Sequence, residues 1–174
     1  MNLNALRNIS CGVYVIGSRK DDRFNAQIAN TVFQITSEPP TVAISINRKN
    51  LTHEFITASK TFTASMCCED TPLPFIGHLG FKSGRDINKL EGLEYTVGVT
   101  GAPVVTQHAA SYLETRVVSQ LDVGTHTIFV GEMVNADVLN EKKCMTYDYY
   151  LKIKRGTTPV TAPTYIREKR EVGA

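Results

Sequence analysis

The chain has 174 residues, of which 42% are hydrophobic and 21% charged, proportions of a globular protein rather than a disordered one. Nineteen Lys and Arg against seventeen Asp and Glu leave a net charge of +2, too balanced for a nucleic-acid coat or a polybasic membrane anchor. No apolar run approaches the ~18 residues of a membrane helix and the start has no signal core, so a cytoplasmic protein of one domain is expected. Its core would span about residues 11–155, with a tail over 156–174, and neither nucleic acid nor a membrane is an expected partner.

Gly12 to Ser18 is β-branched and aromatic and reads as a strand, followed by the charged turn Arg19 to Arg23. A second extended stretch runs from Phe24 to about Thr36 and is stopped by Ser37-Glu38-Pro39-Pro40, because two successive prolines suit neither a helix nor a central strand. Thr41 to Asn47 alternates, with Val42, Ile44 and Ile46 on one face and Thr41, Ala43, Ser45 and Asn47 on the other. That small, polar face leaves room beside the sheet for something other than protein.

Leu51 to Ser59 predicts a short helix with Phe55 and Ile56 toward the core and Asn50 or Thr52 as its cap. Phe62 to Met66 returns as a strand. Pro72 to Gly92 is interrupted by Gly77, Gly80 and Gly84 and reads as an excursion with one or two helical turns. Glu94 to Thr100 is strand-like again. From Tyr112 to Val123, Leu113, Thr115, Val117, Leu121 and Val123 oppose Glu114, Arg116, Gln120 and Asp122, the pattern of a long half-buried strand. Gly124-Thr125 turns it, and His126 to Val134 pairs back as a hairpin. The sum is a mainly β protein, an antiparallel barrel with small helical insertions.

Several chemistries are missing from the sequence: a dinucleotide G-x-G-x-x-G, a phosphate-binding G-x-x-x-x-G-K-[ST], a G-x-S-x-G elbow, and the second histidine of a zinc H-E-x-x-H after His53-Glu54. Cys11, Cys67, Cys68 and Cys144 include no C-x-x-C pair, and adjacent Cys67 and Cys68 are poorly placed for a mutual bridge or one zinc ion. They read as reduced, mostly buried thiols, with a redox pair at Cys67-Cys68 as the lesser alternative, and no metal site is expected. His53, His78 and His108 have no partners by spacing and read as structural or exposed. One anion site stands out. Asn47-Arg48-Lys49-Asn50-Leu51-Thr52 joins the small-residue strand to a helix start, where free N–H groups, a hydroxyl and two cations suit a phosphate. The alternative is an ordinary solvated loop.

Three segments, Asn25 to Thr31, Ser37 to Asn47 and Leu51-Thr52-His53-Glu54, resemble the flavin reductase family. Gly84-Arg85-Asp86 with Lys89, and Gly124 to Gly131, agree in the same order. The resemblance extends from about Cys11 to Tyr165. It implies the FMN-binding split-barrel fold, whose members include flavoredoxins and the flavin domain of high-molecular-weight rubredoxins.

The resemblance further implies FMN as cofactor, with Asn25, Gln27, Asn30 and Thr31 along the flavin ring. Ser45, Asn47, Arg48 and Thr52 would hold its ribityl chain and phosphate, and Lys89 would reach it from the partner subunit of a homodimer. His126 matches the histidine of the family's Gly-Asp-His signature beside flavin and nicotinamide, and is the expected catalytic residue. Thr125 stands where the family has aspartate, a departure at the NAD(P)H contact. The tail from Gly156 to Tyr165 resembles the segment after the flavin domain in rubredoxin-fused relatives, with Tyr165 either stacking near the flavin or packing only. The implied activity is hydride transfer from NAD(P)H to flavin, then electron transfer to rubredoxin, an iron–sulfur protein or a monooxygenase. The alternative is a flavoredoxin-type carrier that never uses NAD(P)H directly.

Overall fold

The first expected strand and the charged turn after it form a hairpin in the computed structural model, which describes residues 1–166. Strand β1 (Tyr14–Lys20) pairs antiparallel with β2 (Arg23–Ala29), and the turn places Asp21 at φ 54°, a left-handed conformation that Asp tolerates. The stretch expected to be extended up to Thr36 is two strands. The chain bends at Asn30-Thr31 and passes from one edge of the sheet to the other as β3 (Val32–Ser37), and neither residue is a glycine or proline that would signal the break. Strand β4 (Pro40–Asn47) and helix α1 (Leu51–Ser59) follow as expected. Next come β5 (Thr61–Cys67), α2 (Leu73–Phe81), the short β6 (Tyr95–Val97) and β7 (Pro103–Val105), the long hairpin β8 (Ala109–Val123) and β9 (His126–Val138), and α3 (Tyr147–Lys152).

Seven strands form one antiparallel sheet in the order β2-β1-β5-β8-β9-β4-β3. The sheet is not closed as a barrel, because β2 and β3 are its edges. Laid flat, those edges would stand roughly 29 Å apart, yet the two-residue link joining them can span only ~11 Å. The sheet must therefore curl until its edges approach, leaving a split between them.

The curl makes two apolar layers. Ile16, Ile44, Ile46, Phe62 and Phe129 fill its concave side, closed by Ile56 of α1. Val15, Ala26 and Cys67 on the convex side meet Phe75, Ile76 and Leu79 of α2 and Met145 and Tyr150 near α3. Alternation along β1 sends Val15 and Ile16 to opposite layers. Each fully buried Phe or Ile contributes about 1.5–3 kcal/mol.

The alternation expected along β8 holds only to about Val117. A register shift between Val117 and Ser119 leaves Val118 as an extra residue on β8 and breaks the parity, and Leu121 and Val123 are 61% and 48% exposed. Glu114, expected on the polar face, is buried. Its carboxylate accepts from the Thr100 amide and hydroxyl, both at 3.0 Å, and from Asn135 Nδ2 at 2.9 Å. A Cβ at Gly98 would stand 2.1 Å from Glu114 Oε2, so only glycine lets that loop close over the carboxylate. No helix among the described residues is long and apolar enough to cross a membrane.

Candidate functional site

As an edge strand, β2 leaves half of its backbone N–H and C=O groups without ladder partners. Along that edge lies a cavity of about 590 Å³, within the range of small-molecule sites. Four segments of chain enclose it. Asn25, Gln27 and Asn30 belong to β2 and its turn, Ser45 and Asn47 to β4, Lys49 to Thr52 to the start of α1, and Thr157 to Pro163 to the tail. The end of α2 and Lys89 complete the wall.

The polar residues are cross-linked before any ligand arrives. Asn25 Nδ2 donates to Thr52 Oγ1 at 2.7 Å, and Asn50 Nδ2 donates to Gln27 Oε1 at 3.1 Å. These bonds tie β2 to the beginning of α1. Gly84 closes against the same pair, since a Cβ there would meet Asn25 Oδ1 at 2.1 Å. At the helix start, Asn50 is the N-cap residue but makes no side-chain capping bond. The amides of Leu51 and Thr52 have no hydrogen-bond partner among the described residues, so two donors at the positive end of the helix dipole remain available.

Lys89 is 5% exposed and lines this chain's own cavity. Its Nζ donates to the Leu79 carbonyl, and His78 Nε2 meets the Lys89 carbonyl at 3.0 Å. No carboxylate pairs with it among the described residues. Burial lowers its pKa to about 8, because removal from water penalises the charged form.

The remaining expected residues stand elsewhere. Thr31 is half-buried outside the cavity, its hydroxyl donating to Asn30 Oδ1 at 3.2 Å. Arg48 is exposed and also lies off the cavity wall, while the adjacent Lys49 is on it. Tyr165 is 41% exposed and not part of the wall. His126 lies just behind it. Its Nε2 meets the Thr161 carbonyl at 3.0 Å and its Nδ1 meets the Thr125 hydroxyl at 2.8 Å. A carbonyl only accepts, so Nε2 donates to Thr161, while the Thr125 hydroxyl pairs with Nδ1 in either sense. The Thr161 carbonyl therefore sets the ring's orientation and the Thr125 hydroxyl, which stands where the family has aspartate, adapts to it.

The tail over the cavity had no local signal in the sequence. Asn47 Nδ2 donates to the Thr161 carbonyl at 3.2 Å, Asn30 Nδ2 to the Thr164 hydroxyl, and Tyr150 Oη to the Thr157 carbonyl at 2.9 Å. Tyr147 and Tyr150 of α3 also line the cavity. A segment rich in Thr and Pro shows no period, and only the receiving surface gives it a conformation.

The family model described as "Flavin reductase like domain" matches residues 6–154. A high molecular weight rubredoxin from Moorella thermoacetica is 50% identical over 171 residues, covering 97% of this chain and 75% of that protein. A ferric-chelate reductase (NAD(P)H) from Archaeoglobus fulgidus is 44% identical over 169 residues, covering 97% of this chain and all of that protein. Among solved structures, an NADH:FAD oxidoreductase from Streptomyces globisporus superposes with a TM-score of 0.75 at 22% identity, over 82% of this chain and 84% of that one, a likeness of fold.

Proposed function

The chain belongs to the flavin reductase-like family, and from that premise we propose that it binds FMN in the cavity beside β2 and takes a hydride from NAD(P)H. One observation carries the site: a buried Lys89 with no carboxylate partner among the described residues, Lys49, Lys82 and two unpartnered amides of α1 share one cavity whose lining holds no acidic residue. That donor set suits a flavin carrying a phosphate, because anions bind where free N–H groups and a helix N-terminus converge. Bound there, the flavin ring would supply the hydride acceptor that no side chain offers.

The protein's own part is binding, orientation and exclusion of water. Lys49, Leu51 and Thr52 would hold the phosphate, and Ser45 and Asn47 the ribityl chain. Asn25 and Gln27 keep the β2 edge and the helix start at a fixed separation, and Asn30 anchors the tail. Lys89 contributes positive charge to the wall. His126 acts as a positioning group through the tail and, if nicotinamide docks beside the hairpin, helps set its angle. Exposed Val118, Leu121 and Val123 at the end of the β8–β9 hairpin, with Phe33 and Ile35 of β3, supply an apolar face for a homodimer.

A second reading is an electron carrier that exchanges electrons with a rubredoxin, an iron–sulfur protein or a monooxygenase without meeting NAD(P)H. It is favoured by the engagement of both His126 nitrogens, one of them with the tail across the cavity, and by the name of the relative from Moorella thermoacetica. The deciding experiment is anaerobic mixing of the FMN-loaded protein with NADH or NADPH, followed by flavin absorbance. The expected result is bleaching by one of the two. Bleaching by dithionite alone selects the carrier, and a protein that neither carries nor takes up FMN overturns both readings.

A further inference from the structure

Cys68 immediately follows β5, and Cys144 lies in the extended segment that leads into α3. The two residues form an isolated antiparallel bridge. On one side the Met145 amide donates to the Cys67 carbonyl at 2.7 Å; on the other the Glu69 amide donates to the Lys143 carbonyl at 2.8 Å. Bonds flanking a pair in this way mark it as a non-hydrogen-bonded pair, in which opposed Cα atoms stand ~4.5 Å apart and both side chains leave the same face. Disulfides need a Cα separation of roughly 4.4–6.8 Å. This register therefore meets the requirement without moving the backbone. On the Glu69 side of the cysteines two successive ion pairs hold it, Lys143 with Glu69 at 2.9 Å and Lys142 with Asp70 at 2.8 Å.

The two thiols differ in access. Cys144 is exposed, whereas Cys68 is buried, its Sγ 4.0 Å from Asn140 Oδ1. Cys67, one residue away, points to the opposite side and sits within the convex-side core. Burial pushes its thiol up to about 12, which makes it inert. The pairing thus selects Cys68 with Cys144, and not the adjacent Cys67 with Cys68. It also corrects the expectation of mostly buried thiols, since Cys144 is exposed and Cys11 half-buried.

We propose that Cys68 and Cys144 are a reversible dithiol–disulfide site that reacts with small-molecule disulfides of the glutathione class. The exposed Cys144 thiolate attacks one sulfur of the small disulfide, forming a mixed disulfide and expelling one thiolate. Cys68, after losing its proton to solvent, attacks the Cys144 sulfur and expels the second thiolate. Two protein thiols are oxidised, one small disulfide is reduced to two thiols, and two protons balance the released thiolates. The new bond pins the segment that carries α3, whose Tyr147 and Tyr150 line the cavity and meet the tail. The site stands independently of the flavin reading.

The test is to incubate the full chain in oxidised or reduced glutathione and map its disulfides by non-reducing proteolysis and mass spectrometry, with thermal unfolding in parallel. Oxidation should link Cys68 to Cys144 within one chain and raise Tm by roughly 10 °C, because the bond closes a long loop in the unfolded chain. Dithiothreitol should reverse both effects. Cys67→Ser should retain the link, whereas exposed Cys144→Ser should lose it while remaining folded. A persistent glutathione adduct on Cys144, a link involving Cys11 or Cys67, or links only between chains would overturn the proposal.

Discussion

Among the described residues Glu114 and Lys89 are charged side chains that are buried, and their surroundings are opposite. Glu114 lies on β8 with donors on every side: the Thr100 amide and hydroxyl, the Val99 amide and Asn135. Burial pushes its carboxyl up, but those hydrogen bonds outweigh burial and hold it below its ordinary value. Lys89 lies on the cavity wall with one backbone carbonyl and no carboxylate among the described residues, and burial alone lowers it to about 8. A charge wrapped in its own donors stabilises the fold that wraps it. A charge left without a counterion costs folding free energy, and the natural place to recover that cost is a ligand.

The comparison breaks most visibly at Glu114. Glu114→Ala should cost about 3–4 kcal/mol, read by chemical denaturation, because it strands several buried donors and opens a small void. Glu114→Gln should cost about half of that. The sign with pH follows from a lowered pKa: the carboxylate's contribution is present above its unfolded value and disappears as the pH falls through the lower folded one. The stability gap between wild type and Glu114→Gln should therefore narrow in acid. Equal losses at neutral and acid pH would show that the hydrogen-bonded charge is irrelevant.

Lys89→Met should change stability in the other direction. The ligand-free protein should gain about 2–3 kcal/mol at pH 7, since a shift from 10.5 to about 8 is a penalty on the charged folded form. As the pH rises from about 8 toward 10.5, wild-type Lys89 sheds its proton in the folded state first, and its stability should approach that of the variant. FMN affinity should fall by about tenfold or more with the same substitution. A variant that is both less stable and unchanged in FMN binding would refute this account of Lys89.

A smaller effect is expected behind the cavity. His126→Ala removes the bond to the Thr161 carbonyl, worth about 1 kcal/mol, and should speed amide exchange from Thr157 to Thr161 while the sheet stays protected. If the ring also positions nicotinamide, flavin reduction by NAD(P)H should slow by up to about a hundredfold, with dithionite reduction unchanged. The smallest effect belongs to Arg48. Because it is exposed and off the wall, Arg48→Ala should change stability by no more than about 0.5 kcal/mol. It should also weaken FMN less than Lys49→Ala does, as measured by titration against riboflavin.

Local pattern carried the mainly β class, α1 to the residue and most of the strands. Alternation in β4 and the apolar positions of α1 are short-range signals, and Thr41 to Asn47 and Leu51 to Ser59 state them without interference. Asn25, Gln27, Asn30, Ser45, Asn47, Thr52 and Lys89 all reach the cavity wall, and their segments were visible as one family pattern. The bend at Asn30-Thr31 was hidden because no glycine or proline marks it, and the burial of Glu114 because the loop that covers it, with Gly98 and Thr100, comes from a distant part of the chain.

What the sequence determined by itself, then, was most of the strands, the helix that offers its N-terminus, and the polar residue types that line the cavity. Tertiary structure alone decided that Lys89 faces its own chain's cavity, that the tail spans that cavity through Asn30, Asn47 and His126, and that Cys144 lies opposite Cys68. The physical reason is distance along the chain. Periodicity and turn chemistry act over a few residues, whereas these contacts join positions tens of residues apart, and only the curl of the sheet brings such positions together.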